Sequence, residues 1–184
     1  MAQREEIELR QTVLHDVHLA AAAKMVDFGG WHMPVQYPSG IIQEHLATRR
    51  HSGLFDVSHM GRYKVTGEAA EDFLLHVLTN NARALAPGES HYTFIANEDG
   101  GAIDDAFLYR LAAEDFLLVV NAANRDRDWA WLAEHNASGA AIEDISDELA
   151  MISLQGPKSS EILEQVVGPD GLPENKRNRL ATTT

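Results

Sequence analysis

The chain has 184 residues, 45% of them hydrophobic, with 28 acidic against 15 basic residues and a net charge of −13. That is enough for one domain with a real core, or for one and a half domains if the chain is cut short. The acidic surface repels phosphate backbones, which argues against nucleic acid as a partner, and with no cysteine there are no disulfides, thiolate zinc sites or thiol nucleophiles.

The N-terminal "MAQREEIELR" is mixed in charge and has no apolar h-region. No run approaches the roughly 20 apolar residues that span a bilayer. A soluble, cytoplasmic protein is expected, with no membrane partner. "LHDVHLAAAAKMVDF" (14–28) reads as one helix with Leu19, Ala22, Ala23 and Val26 on a stripe. "GGWHMPVQYPSG" (29–40) reads as an ordered loop with a short extended piece. "GIIQEHLATRRHSG" (40–53) is a helix that Gly53 closes, and 54–67 alternates as one or two strands. The spacing over 68–80 puts Ala70, Phe73, Leu74, Val77 and Leu78 on one helical face.

Strands are expected over 91–96, 102–110 and 115–121, the first two joined by "NEDGG". A helix over 124–136 follows, with Asn124 as N-cap. Two more strands lie in "AAIEDIS" and "LAMISLQG", then a helix over 157–168 with Pro157 near its start and Gly168 past its end. The fold class is α+β, with mixed or antiparallel sheets and flanking helices rather than regular βαβ alternation. The polar "LPENKRNRLATTT" is either a solvated tail or the edge of an incomplete fold.

Nine histidines invite a metal reading, and His15 and His18 sit three apart on the expected helix. No HExxH pattern accompanies them, and no metal is expected. Ser58 and His59 are strand neighbours that face apart, and G-x-S-x-G is absent. "GGWHMP" lacks the spacing of a dinucleotide-binding loop.

The stretch "NEDGGAIDDAFLYR" (97–110) is more informative. In a strand, Ile103, Asp105, Phe107 and Tyr109 share one face, and Asp104, Ala106, Leu108 and Arg110 the other. Asp104 then pairs with Arg110 or caps the turn. Asp105 is either a turn-capping carboxylate or one desolvated in an aromatic pocket suited to a ring bearing N–H groups. Tyr92 and Asn121, on the flanking strands, line the same pocket in the second case.

Five segments in order, "KMVDFGGWHMPVQY", "GLFDVSHMG", "NEDGGAIDDAFLY", "VVNAAN" and "LQGP", resemble the T protein of the glycine cleavage system, the aminomethyltransferase family. The resemblance covers about residues 10 to 168. It implies a three-lobed fold around a central tetrahydrofolate site. It also implies transfer of a one-carbon unit to tetrahydrofolate from an aminomethyl group on the lipoyl arm of the H protein, with release of ammonia. The family's second aspartate of GG-x-x-DD is the catalytic carboxylate, here Asp105. Its folate pocket carries over to Met60, Tyr92, Asp105, Tyr109, Val119 and Asn121.

The resemblance further implies lobes at 1–53 (N-terminal part of the first), 54–137 (the second, with most of the folate pocket) and 138–184 (an incomplete return to the first). A monomer in the cytoplasm is expected, or in the mitochondrial matrix for a processed eukaryotic form. Family members run to roughly twice this length, and their Tyr-Thr-Gly-Glu-Asp-Gly segment and a later arginine are not in these residues. The expectation is therefore a fragment with a pocket it does not close alone. A related folate-dependent demethylase, a sarcosine-dehydrogenase-type folate domain and a non-catalytic folate-binding module share part of the motif set. An inactive fragment that still touches the H protein is a further alternative. The iron–sulfur assembly members of that last class carry a cysteine that this chain lacks.

Overall fold

The first helix is shorter than its alanine-rich spacing suggests: α1 spans His15–Ala20. Ala22 takes a positive φ of 55°, and the chain continues as β1 (Lys24–Phe28), which pairs antiparallel with β2 (Trp31–Gln36). Gly29 and Gly30 (φ 60° and 86°) make the two-residue turn, where side chains would be strained. Cross-strand pairing of Met25 with Pro34 and Val26 with Met33 outweighs a helix propensity of roughly 0.5 kcal/mol per residue. The helix expected over 14–28 is thus a helix followed by a hairpin.

The computed structural model describes residues 8–183. After β2 come α2 (Ile41–Arg50), β3 (Gly53–Asp56), β4 (Gly61–Thr66), α3 (Ala70–Val77), β5 (Glu89–Ala96), β6 (Ala102–Ala112) and β7 (Asp115–Val120). Then follow α4 (Arg125–Glu134), β8 (Ala141–Asp144), β9 (Ile152–Gln155) and α5 (Ser159–Val167). Gly53 does not close α2, whose C-cap is His51, but opens β3. The segment 54–67 resolves into two strands, β3 and β4. The result is α+β with antiparallel sheets, as expected.

The chain divides into two units. One runs to His59 and takes in Ala150–Ser159; the other is Met60–Leu149 with the described residues from Ser160 onward. The first unit holds two two-stranded sheets, β1–β2 and β3–β9. Gly156, in "LQGP", has φ +126°, and a Cβ there would lie 2.6 Å from the carbonyl oxygens of both Thr48 and His51. Only glycine fits a backbone approach that close.

The histidines of α1 are engaged in this first unit. His15 Nε2 lies 2.9 Å from His32 Nδ1, and His18 sits between the Tyr37 hydroxyl (2.8 Å) and Asp56 (3.0 Å). Thr12 Oγ1 also donates to Asp56 at 2.6 Å, and the Ser58 N–H at 2.9 Å. Burial pushes the Asp56 carboxyl up, but hydrogen bonds from Ser58, Thr12 and His18 outweigh it and hold it below the ordinary carboxylate range. A depressed native value stabilises the fold above the unfolded value near pH 4, and that contribution is lost as pH falls through the native one. Asp56→Asn is therefore expected to cost about 2 kcal/mol at neutral pH and to flatten the acid limb below about pH 4. Urea denaturation across pH checks both; an unchanged acid limb contradicts the account.

The second unit is built on a five-stranded antiparallel sheet in the order β5-β6-β7-β4-β8. One face carries Tyr63, Val65, Leu108, Leu118 and Val120, packed in one cluster with Phe73, Leu74 and Val77 of α3 and Leu132 of α4. All five residues expected on the inner face of α3 and its end are buried. Burying each large one stabilises by about 1.5–3 kcal/mol. With that face filled, residues of opposite parity on β5 and β6 point away from the core. Among the described residues no helix is long and apolar enough to cross a membrane.

Candidate functional site

Strand register assembles the site on the second face of this sheet. Phe94 pairs with Asp105, and Ala106 pairs with Val120, which places Asn121 just past β7 beside Asp105. Two residues along, Tyr92, Phe107, Val119 and Arg62 form a cross-strand row. Ser90, Tyr109, Leu117 and Lys64 form the next. Paired residues share a face and alternate positions repeat it, so Asp105, Phe107, Tyr109, Tyr92, Phe94 and Val119 lie together.

Asp105 is half-buried and held from two sides. The Tyr92 hydroxyl donates to Oδ2 at 2.8 Å, and Asn121 Nδ2 donates to Oδ1 at 2.8 Å. The hydrogen bond to Asp105 pushes the Tyr92 phenol above its ordinary value, and burial does the same to Tyr109. Both phenols are donors at neutral pH. Phe107 and Tyr109 are in ring contact at 5.1 Å, and Tyr92 meets Phe94 edge-on at 5.3 Å. Tyr92 and Phe94 remain 49% and 42% exposed, so the carboxylate stands on an open aromatic face.

Asp104 points the other way and is the more buried of the pair, at 7% exposure. Its Oδ2 accepts the Asn121 backbone N–H (3.2 Å), and its Oδ1 accepts from Asn121 Nδ2 (3.0 Å) and Asn124 Nδ2 (2.9 Å). Pairing with Arg110 does not occur. They stand six positions apart, about 20 Å along the strand, and Arg110 pairs with Glu71 at 3.2 Å instead. Nor does either aspartate cap the turn: Asn97 does, its Oδ1 accepting the Gly101 N–H at 2.6 Å. The deeply desolvated carboxylate is thus Asp104, while Asp105 is half-buried.

Of the expected site residues, Tyr92, Asp105 and Asn121 meet through hydrogen bonds, and Tyr109 and Val119 share their face. Met60 immediately precedes Gly61, which pairs with Val120, so it lies at the same end of the sheet as Asn121. Its carbonyl accepts from Arg62 Nη1 at 2.8 Å. Sequence reasoning missed the support beneath Asp104: Asn124 occupies the N-cap of α4 but makes no cap hydrogen bond with its side chain, which goes to Asp104 instead. The spacing of Asn121, Asn124 and Asp128 was its only signal. The ring at 94 was missed as well, though alternation with Tyr92 pointed to it.

A half-exposed carboxylate fixed by two donors, with aromatic rings alongside, can accept N–H groups from a flat heterocycle and stabilise a nearby positive charge. Residues 14–177 match the family model described as the GCVT N-terminal domain. The chain belongs to that family.

Among relatives of this GCVT N-terminal domain, aminomethyltransferase of Deinococcus deserti is 45% identical over 97% of this chain and 50% of its own length. Aminomethyltransferase of Chlorobaculum parvum is 48% identical over 89% of this chain and 45% of its own. The crystal structure of the glycine cleavage system aminomethyltransferase T from Bartonella henselae superposes with a TM-score of 0.83 at 39% identity. It covers 91% of this chain, which matches 45% of that one. The chain is thus an aminomethyltransferase homologue, and it spans about half the length of the curated relatives it matches.

Proposed function

We propose that this domain acts in the aminomethyltransferase reaction of glycine cleavage, with Asp105 as the carboxylate facing tetrahydrofolate. The observation that carries this reading is the Asp105 carboxylate held by Tyr92 and Asn121 on an aromatic sheet face. Tetrahydrofolate supplies the two nitrogens that take up the one-carbon unit. The donor is the aminomethyl thioether on the lipoyl arm of the H protein, and the products are 5,10-methylenetetrahydrofolate, ammonia and the free dihydrolipoyl thiol.

The residues fit the demands of that exchange. Phe107 and Tyr109 offer flat apolar surface to a pterin, with Val119 beside them, and Met60 lies at the Asn121 end. Asp105 accepts a ring N–H, stabilises positive charge as ammonia departs, and takes up a proton that would otherwise stay on the folate nitrogen. Tyr92 and Asn121 keep its two oxygens aimed. A pterin stacked on this open face covers it and keeps water from capturing the one-carbon unit as formaldehyde. The protein working with a lipoylated H protein, as a monomer in a reducing cytoplasmic compartment, belongs to the same proposal.

The test is ammonia release from aminomethylated H protein with and without tetrahydrofolate. It is run with the chain alone and with the chain joined to the remaining half of the Deinococcus deserti enzyme. Release that depends on tetrahydrofolate in the joined form is expected. Release indifferent to tetrahydrofolate, or none in the joined form, contradicts the proposal.

A further inference from the structure

Beneath the open face lies a carboxyl group that the transfer chemistry does not use. Asp128, in the first turn of α4, is wholly buried at 0% exposure. One helical turn back on α4, Asn124 accepts the Asp128 N–H on its carbonyl at 2.8 Å and gives its side-chain amide to Asp104 at 2.9 Å, which brings the Asp128 carboxyl beside Asp104. No donor group hydrogen-bonds to either Asp128 oxygen, and Arg127 Nε lies 3.7 Å from Oδ1. Two neighbouring carboxyl groups in a buried place do not both ionise readily; one proton between them turns repulsion into a hydrogen bond.

The surrounding donors decide which group holds the proton. Asp104 already accepts three N–H groups, from the Asn121 backbone, Asn121 Nδ2 and Asn124 Nδ2. Asp128 accepts none. Asp104 is therefore the ionised partner and Asp128 the acid. We propose that Asp128, as a neutral carboxylic acid donating to Asp104, is a positioning residue for Asp105.

It works through the Asn121 amide. Because Asp104 stays a pure acceptor, the amide must turn its NH2 toward Asp104 and Asp105 and its oxygen away. One NH2 group then bridges the two aspartates at 3.0 and 2.8 Å. Burial and the neighbouring Asp104 push the Asp128 carboxyl up to about 8, while Asp104, despite its burial, is held below the usual range by Asp128, Asn121 and Asn124. Of the groups facing Asp128, Asp104 comes from β6, Tyr63 from β4, with its phenol raised, and Arg127 from α4 itself. Losing the proton leaves two negative carboxylates competing for the same amide donors. The proton and the amide orientation stand on their own; the link to turnover rests on the transfer reading above.

The experiment follows the Asn121 side-chain amide by NMR in the 15N-labelled chain, from about pH 6 to 10 across the Asp128 transition. In the wild type this resonance is expected to move with a midpoint near pH 8, the Asp128 value. Asp128→Asn, which offers an N–H to Asp104 without titrating, keeps the low-pH position throughout. Asp128→Leu displaces the resonance at every pH. A wild-type amide that stays flat through pH 8, or a transition that survives in Asp128→Asn, overturns the proposal, even if the leucine variant fails to fold. In the transfer assay Asp128→Asn is expected to retain most of the turnover and lose the alkaline limb, while Asp128→Leu loses at least about tenfold in kcat with little change in KM. An intact amide transition with turnover indifferent to Asp128→Leu overturns the positioning role. Absence of ammonia release in every form counts against the transfer reading alone.

Discussion

Asp105→Asn is expected to lower tetrahydrofolate-dependent ammonia release by about 10²–10⁴-fold, the range for losing a positioned acid–base or charge-stabilising group. The KM for tetrahydrofolate should change by only a few-fold. Asparagine matches aspartate in shape and keeps an oxygen for the Tyr92 hydroxyl. It loses the charge and places an NH2 beside that of Asn121, or beside the Tyr92 hydroxyl if flipped. The aromatic contacts of Phe107 and Tyr109 are untouched, so the ring still finds its surface. What disappears is stabilisation of charge that develops only as ammonia leaves, and an interaction made only in the transition state appears in kcat. Stability should hardly move, because Asp105 is half-buried. Unchanged turnover in the variant would falsify the role given to Asp105.

Its neighbour should behave in the opposite way. Asp104→Ala is expected to cost about 2–4 kcal/mol of stability, since three half-buried N–H donors lose a buried acceptor together, Asn121 Nδ2 alone keeping Asp105. Those donors are the Asn121 backbone, Asn121 Nδ2 and Asn124 Nδ2, and Asp128 loses its partner as well. Urea denaturation measures the cost as a lower midpoint at constant slope. A change within about 0.5 kcal/mol, the range of an ordinary surface substitution, would show that the carboxyl is not the hub described. The two adjacent aspartates thus separate by experiment: one supports turnover, the other the fold beneath it.

Strand parity read from 102–110 separates these residues correctly, because the period of two survives any error at the strand ends. The inner face of α3 is legible for a similar reason, since Phe73, Leu74 and Val77 repeat at helical spacing. Parity cannot say which face the core occupies. Both faces of β6 carry apolar residues, and the choice falls to Leu108, Leu118 and Phe116 packing on α3, a tertiary fact. That is why the buried carboxyl proves to be Asp104. The helix over 14–28 fails because Gly29 and Gly30 permit a hairpin that local spacing cannot weigh. Asn124 takes the expected N-cap position of α4, but its side chain makes no cap hydrogen bond and donates instead to Asp104, twenty residues away. Asp128 shows in the sequence only as its spacing from Asn121 and Asn124, since its burial and its neighbouring carboxyl come from the packing of α4.

The central claim is that the Tyr92, Asp105, Phe107, Tyr109 and Val119 face receives the folate ring. Tetrahydrofolate titrated into the 15N-labelled chain tests it most directly, with wild type and Tyr109→Ala compared. The account predicts amide shifts centred on residues 92, 105, 107, 109, 119 and 121, weakened at least several-fold in affinity by Tyr109→Ala. Shifts centred away from this face, or an affinity indifferent to the Tyr109 ring, would contradict it.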